Sequence, residues 1–214
     1  MLRLWGQEFS GNCYKVKLLA NHLALPLEWV RVDITKGDTR TPAFLAMSAA
    51  GQVPLLRCAD GSVLAESGAI LWYLGEGSPW IPADALARAR VLQWMFFEQY
   101  RVEPNIATSR YWIALLNAAD RYRDQLAAKR APGEAALAVL ESHLAGAEFF
   151  PGAAPSLADL ALYGYVHVAH EGGFALDAFP RIRAWIARIA ALPGHIGMHD
   201  PLRAPARYVE GTAS

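Results

Sequence analysis

The chain has 214 residues, 54% of them hydrophobic and 19% charged, which is enough apolar material for a buried core and excludes a disordered chain. Its 20 basic residues balance its 20 acidic residues, and the balance holds on both sides of residue 76. Binding of nucleic acid or of an anionic membrane surface is therefore not expected.

The cysteines and the N-terminus bear on the cellular compartment. Cys13 and Cys58 are too few for a disulfide scaffold. The first residues lack the basic and then apolar layout of a signal peptide, and no apolar stretch is long enough to span a bilayer. We expect a soluble, cytoplasmic protein that does not contact a membrane.

The elements predicted up to residue 76 alternate between strand and helix. They are a strand over 2–5, a helix over 12–23, a strand over 27–32, a helix from Thr41-Pro42 to Met47, strands over 53–58 and 62–65 flanking Asp60-Gly61, and a helix over 67–74. One parallel crossover followed by an antiparallel hairpin is the thioredoxin-like topology. We therefore predict a thioredoxin-like α/β domain over 1–76.

A linker follows, since the stretch from Gly75 to Pro82 holds two glycines and two prolines; we assign it to 77–84. Alanine is far more frequent after this point, which favours helix. An all-helical C-terminal domain is predicted over 85–201, with further helices starting at the capping box Ser156-Leu157-Ala158-Asp159 and at Pro180. The few apolar residues over 202–214 predict a loosely ordered tail.

The first helix of the second domain, predicted over 86–100, is apolar on almost every side. Its apolar residues include Val91, Leu92, Trp94, Met95, Phe96 and Phe97. Such a helix must be buried on several faces. Its own domain covers some of them, and a second copy of the chain is expected to cover the rest, so we predict a homodimer.

The segment between the first strand and the first helix carries the candidate chemistry. A thioredoxin-like domain holds a Cys-x-x-Cys redox pair at this turn, but here the spacing is Ser10-x-x-Cys13. A lone cysteine in the second position cannot run a dithiol cycle. The free amides and positive dipole end of the helix still stabilise an anion. A hydroxyl at this place suits a thiolate brought in by the substrate.

Two further segments predict contacts to a peptide-like ligand. Val53-Pro54 is a candidate cis-proline bond, which would leave the Val53 backbone free to pair with an extended ligand. Ser67, with the amides beside it, can bind a carboxylate, and Glu66 can accept from an ammonium. A thiol site, a strand-pairing site and a zwitterion site together describe a tripeptide such as glutathione.

With these motifs the chain resembles the cytosolic glutathione S-transferase family over nearly its whole length. The resemblance rests on Ser10-x-Asn12-Cys13-x-Lys15-Val16, Lys36-Gly37-x-x-Arg40-Thr41-Pro42-x-Phe44-Leu45, Gly51-Gln52-Val53-Pro54, Glu66-Ser67-x-Ala69-Ile70-x-x-Tyr73-Leu74 and Ser156-x-Ala158-Asp159. The family's usual Asn-Pro before the cis-proline loop is Ser48-Ala49 here.

The resemblance implies roles for individual residues. Ser10 would activate the glutathione thiol, as in the serine-type classes, with Asn12 as the rival donor. Glutathione is the co-substrate, and no tightly bound cofactor is expected. The implied glutathione-binding residues are Phe9, Lys36, Gln52, Val53, Pro54, Glu66 and Ser67.

A pocket for the second substrate is the least determined part of the site. Arg101 and Arg110 lie among aromatic residues and offer cations over an aromatic wall; Tyr111 and Tyr14 are assigned to the same pocket. Ion pairing of the two arginines with Glu98 or Glu103 is the alternative interpretation.

Other candidate residues have simpler interpretations. Ser10 in isolation is typical of a helix N-cap, and Cys13 and Cys58 are typical of packed core thiols. The pairs His167/His170 and His195/His199 lack the companion ligands of a zinc motif, so no metal site is predicted.

The leading functional hypothesis is a detoxifying glutathione transferase, in which the thiolate of bound glutathione attacks a small electrophile. Asn12 beside Ser10 motivates an alternative, glutathione-dependent reduction of disulfides or peroxides. A hypothesis of another class is a non-catalytic glutathione-binding or protein-interaction module. The sequence does not identify the electrophile.

Overall fold

The computed structural model describes residues 1–203 and 206–210, and these form two compact units. The first unit comprises Met1–Ser78 together with the described residues from Pro193 onward, and the second comprises Pro79–Leu192. The division after Ser78 lies inside the predicted linker. The return to the first unit at Pro193 differs from the predicted helical domain, which was extended to residue 201.

The first unit contains five strands and three α-helices among its described residues. They are β1 (Leu2–Gly6), α1 (Gly11–His22), β2 (Leu27–Arg31), α2 (Pro42–Met47), β3 (Leu55–Arg57), β4 (Val63–Leu64), α3 (Ser67–Gly75) and β5 (Ala206–Glu210). The sheet order is β4-β3-β1-β2-β5. β1 is parallel to β2 and antiparallel to β3, which confirms the thioredoxin-like topology.

Close packing joins α1 to this sheet. Leu4 of β1, Leu18 of α1 and Trp29 of β2 are each at most 1% exposed. A side chain at Gly6 would place its Cβ 2.9 Å from the Trp29 ring, so only glycine fits where β1 ends. This contact fixes where the chain leaves the sheet and begins the turn to α1.

The prediction of a loose C-terminal tail is wrong for residues 206–210. They form β5, which pairs in parallel with β2 and sets Tyr208 opposite Trp29. The stabilising partner is the backbone edge of β2, which lies far away in sequence, so local composition gave no sign of it. The predicted tail residues 204–205 and 211–214 lie outside the described residues.

The segment 193–203 is fastened to α1 through its backbone. The Tyr14 hydroxyl donates to the Ile196 carbonyl at 2.7 Å, and the Lys17 ammonium donates to the carbonyls of Met198 and Asp200, each at 2.7 Å. Asn21 donates to the Gly194 carbonyl at 2.7 Å. Polar side chains of a buried helix face thus satisfy the carbonyls of a segment without regular structure.

The second unit is helical throughout its regular structure, as predicted. Its α-helices are α4 (Ala85–Phe97), α5 (Thr108–Arg110), α6 (Arg123–His143), α7 (Leu157–Val166) and α8 (Pro180–Ala190). The predicted helix over 86–100 begins one residue earlier and continues in wider π-helical turns over Glu98–Ala107 and Tyr111–Leu115. Pro104 lies within the first of these wide stretches.

The predicted capping box at Ser156 is present and opens α7. One oxygen of the fully buried Asp159 accepts from the Ser156 N–H at 2.8 Å. The other accepts from the Phe150 N–H at 2.9 Å and from the Trp185 indole at 2.8 Å. Burial raises the pKa of this carboxyl to about 7 despite the donors. Asp159 therefore joins the start of α7 to α8 and to the preceding loop.

Replacement of Asp159 by alanine is expected to lower the free energy of unfolding by about 3 kcal/mol, because three buried N–H groups lose their acceptor. Urea denaturation measures the change. Asp120→Ala is the matched control, since that carboxylate is 97% exposed in its pair with Arg123; a change within about 0.5 kcal/mol is expected. A comparable loss of unfolding free energy in both variants would contradict this structural role of Asp159.

Lys17 is expected to give the first unit a pH-dependent stability. Burial lowers the pKa of its ammonium to about 8, whereas an unfolded lysine titrates near pH ~10.4. Between these values the unfolded chain binds more protons, so the free energy of unfolding rises with pH. Denaturation across this window should show a steeper rise in the wild type than in Lys17→Met. Equal slopes of unfolding free energy against pH in the two proteins would refute the lowered pKa of Lys17.

Candidate active site

Ser10 is the N-cap of α1, and its bonding decides what it can do chemically. It has extended backbone angles, φ −80° and ψ 120°, and its Oγ accepts from the Cys13 N–H at 3.3 Å. A hydroxyl that accepts one hydrogen bond still has its own proton to donate. Capping and donation to a sulfur are thus compatible, and the cap fixes the position from which Oγ donates.

Asn12 joins the start of α1 to the start of α3. Its Oδ1 accepts from the Lys15 ammonium at 2.7 Å and from the Ser67 hydroxyl at 3.3 Å. Two residues predicted for different subsites, Asn12 and Ser67, are therefore in direct contact. Lys15 belongs to the motif at the start of α1 but was not predicted as a site residue. Its position three residues after Asn12 on a helix was the sequence signal for this contact.

Cys13 is not suited to act as a nucleophile. Its side chain is fully buried, and a Cβ on Gly6 would lie 3.3 Å from its sulfur. Burial raises the pKa of this thiol to about 11, so the reactive thiolate form is suppressed at neutral pH. Cys58 is also buried, at 6% exposure. Both thiols match the interpretation as packed core residues.

The loop before β3 has the predicted proline geometry. The Val53-Pro54 bond is cis, and the register with β1 begins at Leu55, which pairs with Trp5. Val53 therefore lies just beyond the paired part of the strand. Gln52 is exposed, Val53 is half-buried and Pro54 is buried.

Glu66 has an unusual backbone conformation. Its φ is +68°, a region that costs a residue other than glycine roughly 1–3 kcal/mol and that clusters at functional sites. The Glu66 side chain is exposed, while Ser67, the first residue of α3, is only 4% exposed. At this helix start the strained backbone thus leaves the Glu66 side chain exposed to solvent and the adjacent Ser67 side chain buried.

The remaining predicted glutathione-binding residues are on the surface of the first unit. Phe9 is 49% exposed, and its ring centroid lies 5.1 Å from that of His199. Lys36 is largely exposed and pairs with Asp33 at 3.3 Å.

The four residues assigned to a second-substrate pocket have different surroundings. Tyr14 is 1% exposed and its hydroxyl holds the Ile196 carbonyl, so it is a core residue, which corrects its assignment to a pocket. Arg101 is exposed and lies over the Tyr100 ring at 5.2 Å. Arg110 is buried and pairs with Glu171 at 2.6 Å. Tyr111 is half-buried.

Within residues 1–203 and 206–210, no group of three or more His, Cys, Asp or Glu side chains is arranged to hold a metal ion. None of the helices in these ranges is both long and apolar enough to cross a membrane.

The chain matches known proteins over most of its length. Residues 9–76 match the family model for the glutathione S-transferase N-terminal domain, and residues 107–188 match the one for the C-terminal domain. The glutathione S-transferase GstB of Escherichia coli K12 is 30% identical over 90% of this chain and 95% of its own length.

Solved structures give the same result. A glutathione S-transferase from Pseudomonas fluorescens is 44% identical with a TM-score of 0.91, covering 93% of this chain and 99% of its own. A glutathione transferase from Burkholderia graminis, with two glutathione molecules per subunit, is 28% identical with a TM-score of 0.79 over 90% and 85% of the two chains. With a thioredoxin-like domain, a helical domain and these relatives, the chain belongs to the glutathione S-transferase family.

Proposed function

We propose that the protein binds glutathione at the N-terminus of α1 and directs its thiolate at a small electrophile. The observation that carries the proposal is the Ser10 cap, in which Oγ accepts from the Cys13 N–H and keeps a proton to donate. In the reaction the sulfur forms a bond to an electrophilic carbon, and a leaving group such as halide departs with the electron pair. The thiol proton passes to solvent when the thiolate forms.

The required stabilisation is of a size that this arrangement can supply. A free thiol with a pKa of ~8.5 is only a few per cent ionised at neutral pH. Lowering that pKa by about two units takes roughly 2.7 kcal/mol. One charge-assisted hydrogen bond contributes about 1.5–3 kcal/mol and a helix N-terminus about 0.3–1 kcal/mol.

We assign the rest of glutathione to the residues expected from the sequence. The backbone amides at the start of α3, including that of Ser67, suit one carboxylate, and the exposed Glu66 suits the ammonium. The Val53 backbone and Gln52 suit the peptide groups, beside Pro54. Lys36 supplies an exposed cation for the second carboxylate, and Phe9 an exposed ring. The glutathione bound to the Burkholderia graminis relative supports this ligand.

A second candidate reaction is glutathione-dependent reduction of disulfides or peroxides. Asn12, fixed beside Ser10 by Lys15 and Ser67, favours it, because a second donor can share the sulfur. The disulfide-bond oxidoreductase YfcG of Escherichia coli, 28% identical over 86% of this chain, supports this alternative. Turnover of mixed disulfides in preference to haloaromatics and epoxides would favour it over transfer.

Substitutions at Ser10 separate donation from capping. Ser10→Ala is expected to raise the pKa of the bound glutathione thiol by about one to two units, which lowers the thiolate fraction at pH 7, and the activity with it, roughly 3- to 25-fold. Ser10→Asp still caps the helix but has no hydroxyl proton, so it should lose the thiolate as well. Ultraviolet absorbance of the thiolate as a function of pH measures both, and calorimetric titration measures glutathione binding.

The outcomes of this experiment distinguish the hypotheses. A larger loss of thiolate in Asn12→Ala than in Ser10→Ala would assign the sulfur to Asn12. Binding of glutathione without turnover of any electrophile, peroxide or disulfide would indicate a non-catalytic binding module. Absence of binding heat in the wild type would overturn the proposal.

We also propose that the chain forms a homodimer through the second unit. Phe96 and Tyr100 are 68% and 74% exposed, and Val139 of α6 is 45% exposed. Together with Trp94 and neighbouring residues they line a cavity of about 400 Å³. Apolar side chains that cluster at one surface mark a protein interface.

Sedimentation of the wild type at micromolar concentration is expected to give the mass of a dimer. Phe96→Glu should shift the mass toward that of a monomer, because it introduces a charge into an apolar contact. Arg183→Glu, an exposed change on α8, is the control and should leave the dimer intact. A monomeric wild type would refute this interface.

A further inference from the structure

Lys15 is buried where a cation is doubly unfavourable. Its side chain is only 1% exposed, and lysine is almost never fully buried unless its ammonium has partners. It also lies near the N-terminus of α1, where the helix dipole favours anions over cations. Because both effects disfavour a cation here, Lys15 is a candidate for a role in the site rather than in the core.

The bond that Lys15 makes has a definite chemical consequence. Its ammonium donates to Asn12 Oδ1 at 2.7 Å, and the Ser67 hydroxyl donates to the same oxygen at 3.3 Å. An ammonium has three donors and no acceptor, so only the oxygen end of the carboxamide can face it. The Asn12 Nδ2 group is therefore turned to the other side of the carboxamide, as a donor.

We propose that Lys15 is a positioning residue of the sulfur site. It holds the Asn12 carboxamide so that Nδ2 is presented as a second donor to the thiolate, and through the shared oxygen it orients the Ser67 hydroxyl. The inference rests on the proposed function, because it concerns the thiolate of bound glutathione. Ser10 and Asn12 are then complementary donors, with Lys15 acting only through Asn12.

The same helix provides a matched control for the charge of Lys15. Lys17 is also buried, at 3% exposure, but its ammonium holds the carbonyls of Met198 and Asp200. The positive charges of both lysines act to lower the pKa of the Cys13 thiol, against the larger effect of burial. A charge effect alone would therefore appear in both lysine variants, whereas positioning of Asn12 would appear only in Lys15 variants.

The other charged or titratable groups around the start of α1 stay constant. They are Glu8 before the helix, Cys13 within it, Glu66 at the start of α3, and His199 and Asp200 in the segment packed on α1. Because every variant keeps them, a difference between pH profiles reports the substituted residue.

The test compares the pH profile of thiolate absorbance for glutathione bound to the full-length wild type, Lys15→Met, Lys15→Arg and Lys17→Met. Lys15→Met should raise the pKa of the bound thiol by about one unit. Lys15→Arg keeps a donor, so its bound thiol should have a pKa close to that in the wild type. Lys17→Met should shift it by less than about 0.3 unit. Lys15→Met combined with Asn12→Ala should shift it no further than Asn12→Ala alone.

Two results would overturn the proposal: an unchanged profile in a folded Lys15→Met protein that binds glutathione, or equal shifts in Lys15→Met and Lys17→Met. If Lys15→Met does not fold, Asn12→Asp replaces it, since aspartate keeps the acceptor for Lys15 and Ser67 but lacks the donor. An unchanged thiol pKa in that variant would also overturn the proposal. Failure of the wild type to bind glutathione would instead refute the proposed function.

Discussion

The first turn of α1 is the constraint on which the rest of the first unit depends. A helix start leaves backbone N–H groups without intrahelical partners, and these need an acceptor. Ser10 satisfies the Cys13 N–H, and the positive end of the helix dipole favours an anion. The glutathione thiolate of the proposed reaction supplies that negative charge. The cap that stabilises the helix also places the hydroxyl that activates the sulfur in the proposed reaction.

The other faces of α1 hold the first unit together. One face packs on the sheet at Gly6, where an added Cβ would lie 3.3 Å from the Cys13 sulfur of α1 and 2.9 Å from the Trp29 ring. Another provides Tyr14, Lys17 and Asn21 as donors to the carbonyls of the segment 193–203. That segment leads to β5 at the edge of the sheet. The helix that carries the proposed sulfur site is therefore held on two faces, as a site that must keep a thiolate in one position requires.

The contact between α1 and α3 brings the two proposed subsites, for the sulfur and for the zwitterion, together. Asn12 accepts from Lys15 and Ser67 at one oxygen, so its orientation is coupled to the residue assigned to a carboxylate. Glu66 beside it keeps a left-handed backbone, at a cost that surrounding structure must offset. Strain, a buried lysine and a shared acceptor are separate local costs. They occur within one small region, which is the pattern expected of a binding site rather than of a core.

The sequence alone determined the features that depend on neighbouring residues. The thioredoxin-like order of elements, the caps at Ser10 and Ser156, the cis Val53-Pro54 bond and the family all follow from local patterns and motif spacing. Only the tertiary structure decided which distant residues meet. It paired Arg110 with Glu171, withdrew Tyr14 into the core, made a strand of residues 206–210 and joined Asn12 to Ser67. These outcomes depend on contacts between residues far apart in the chain, and a local pattern holds no information about such partners.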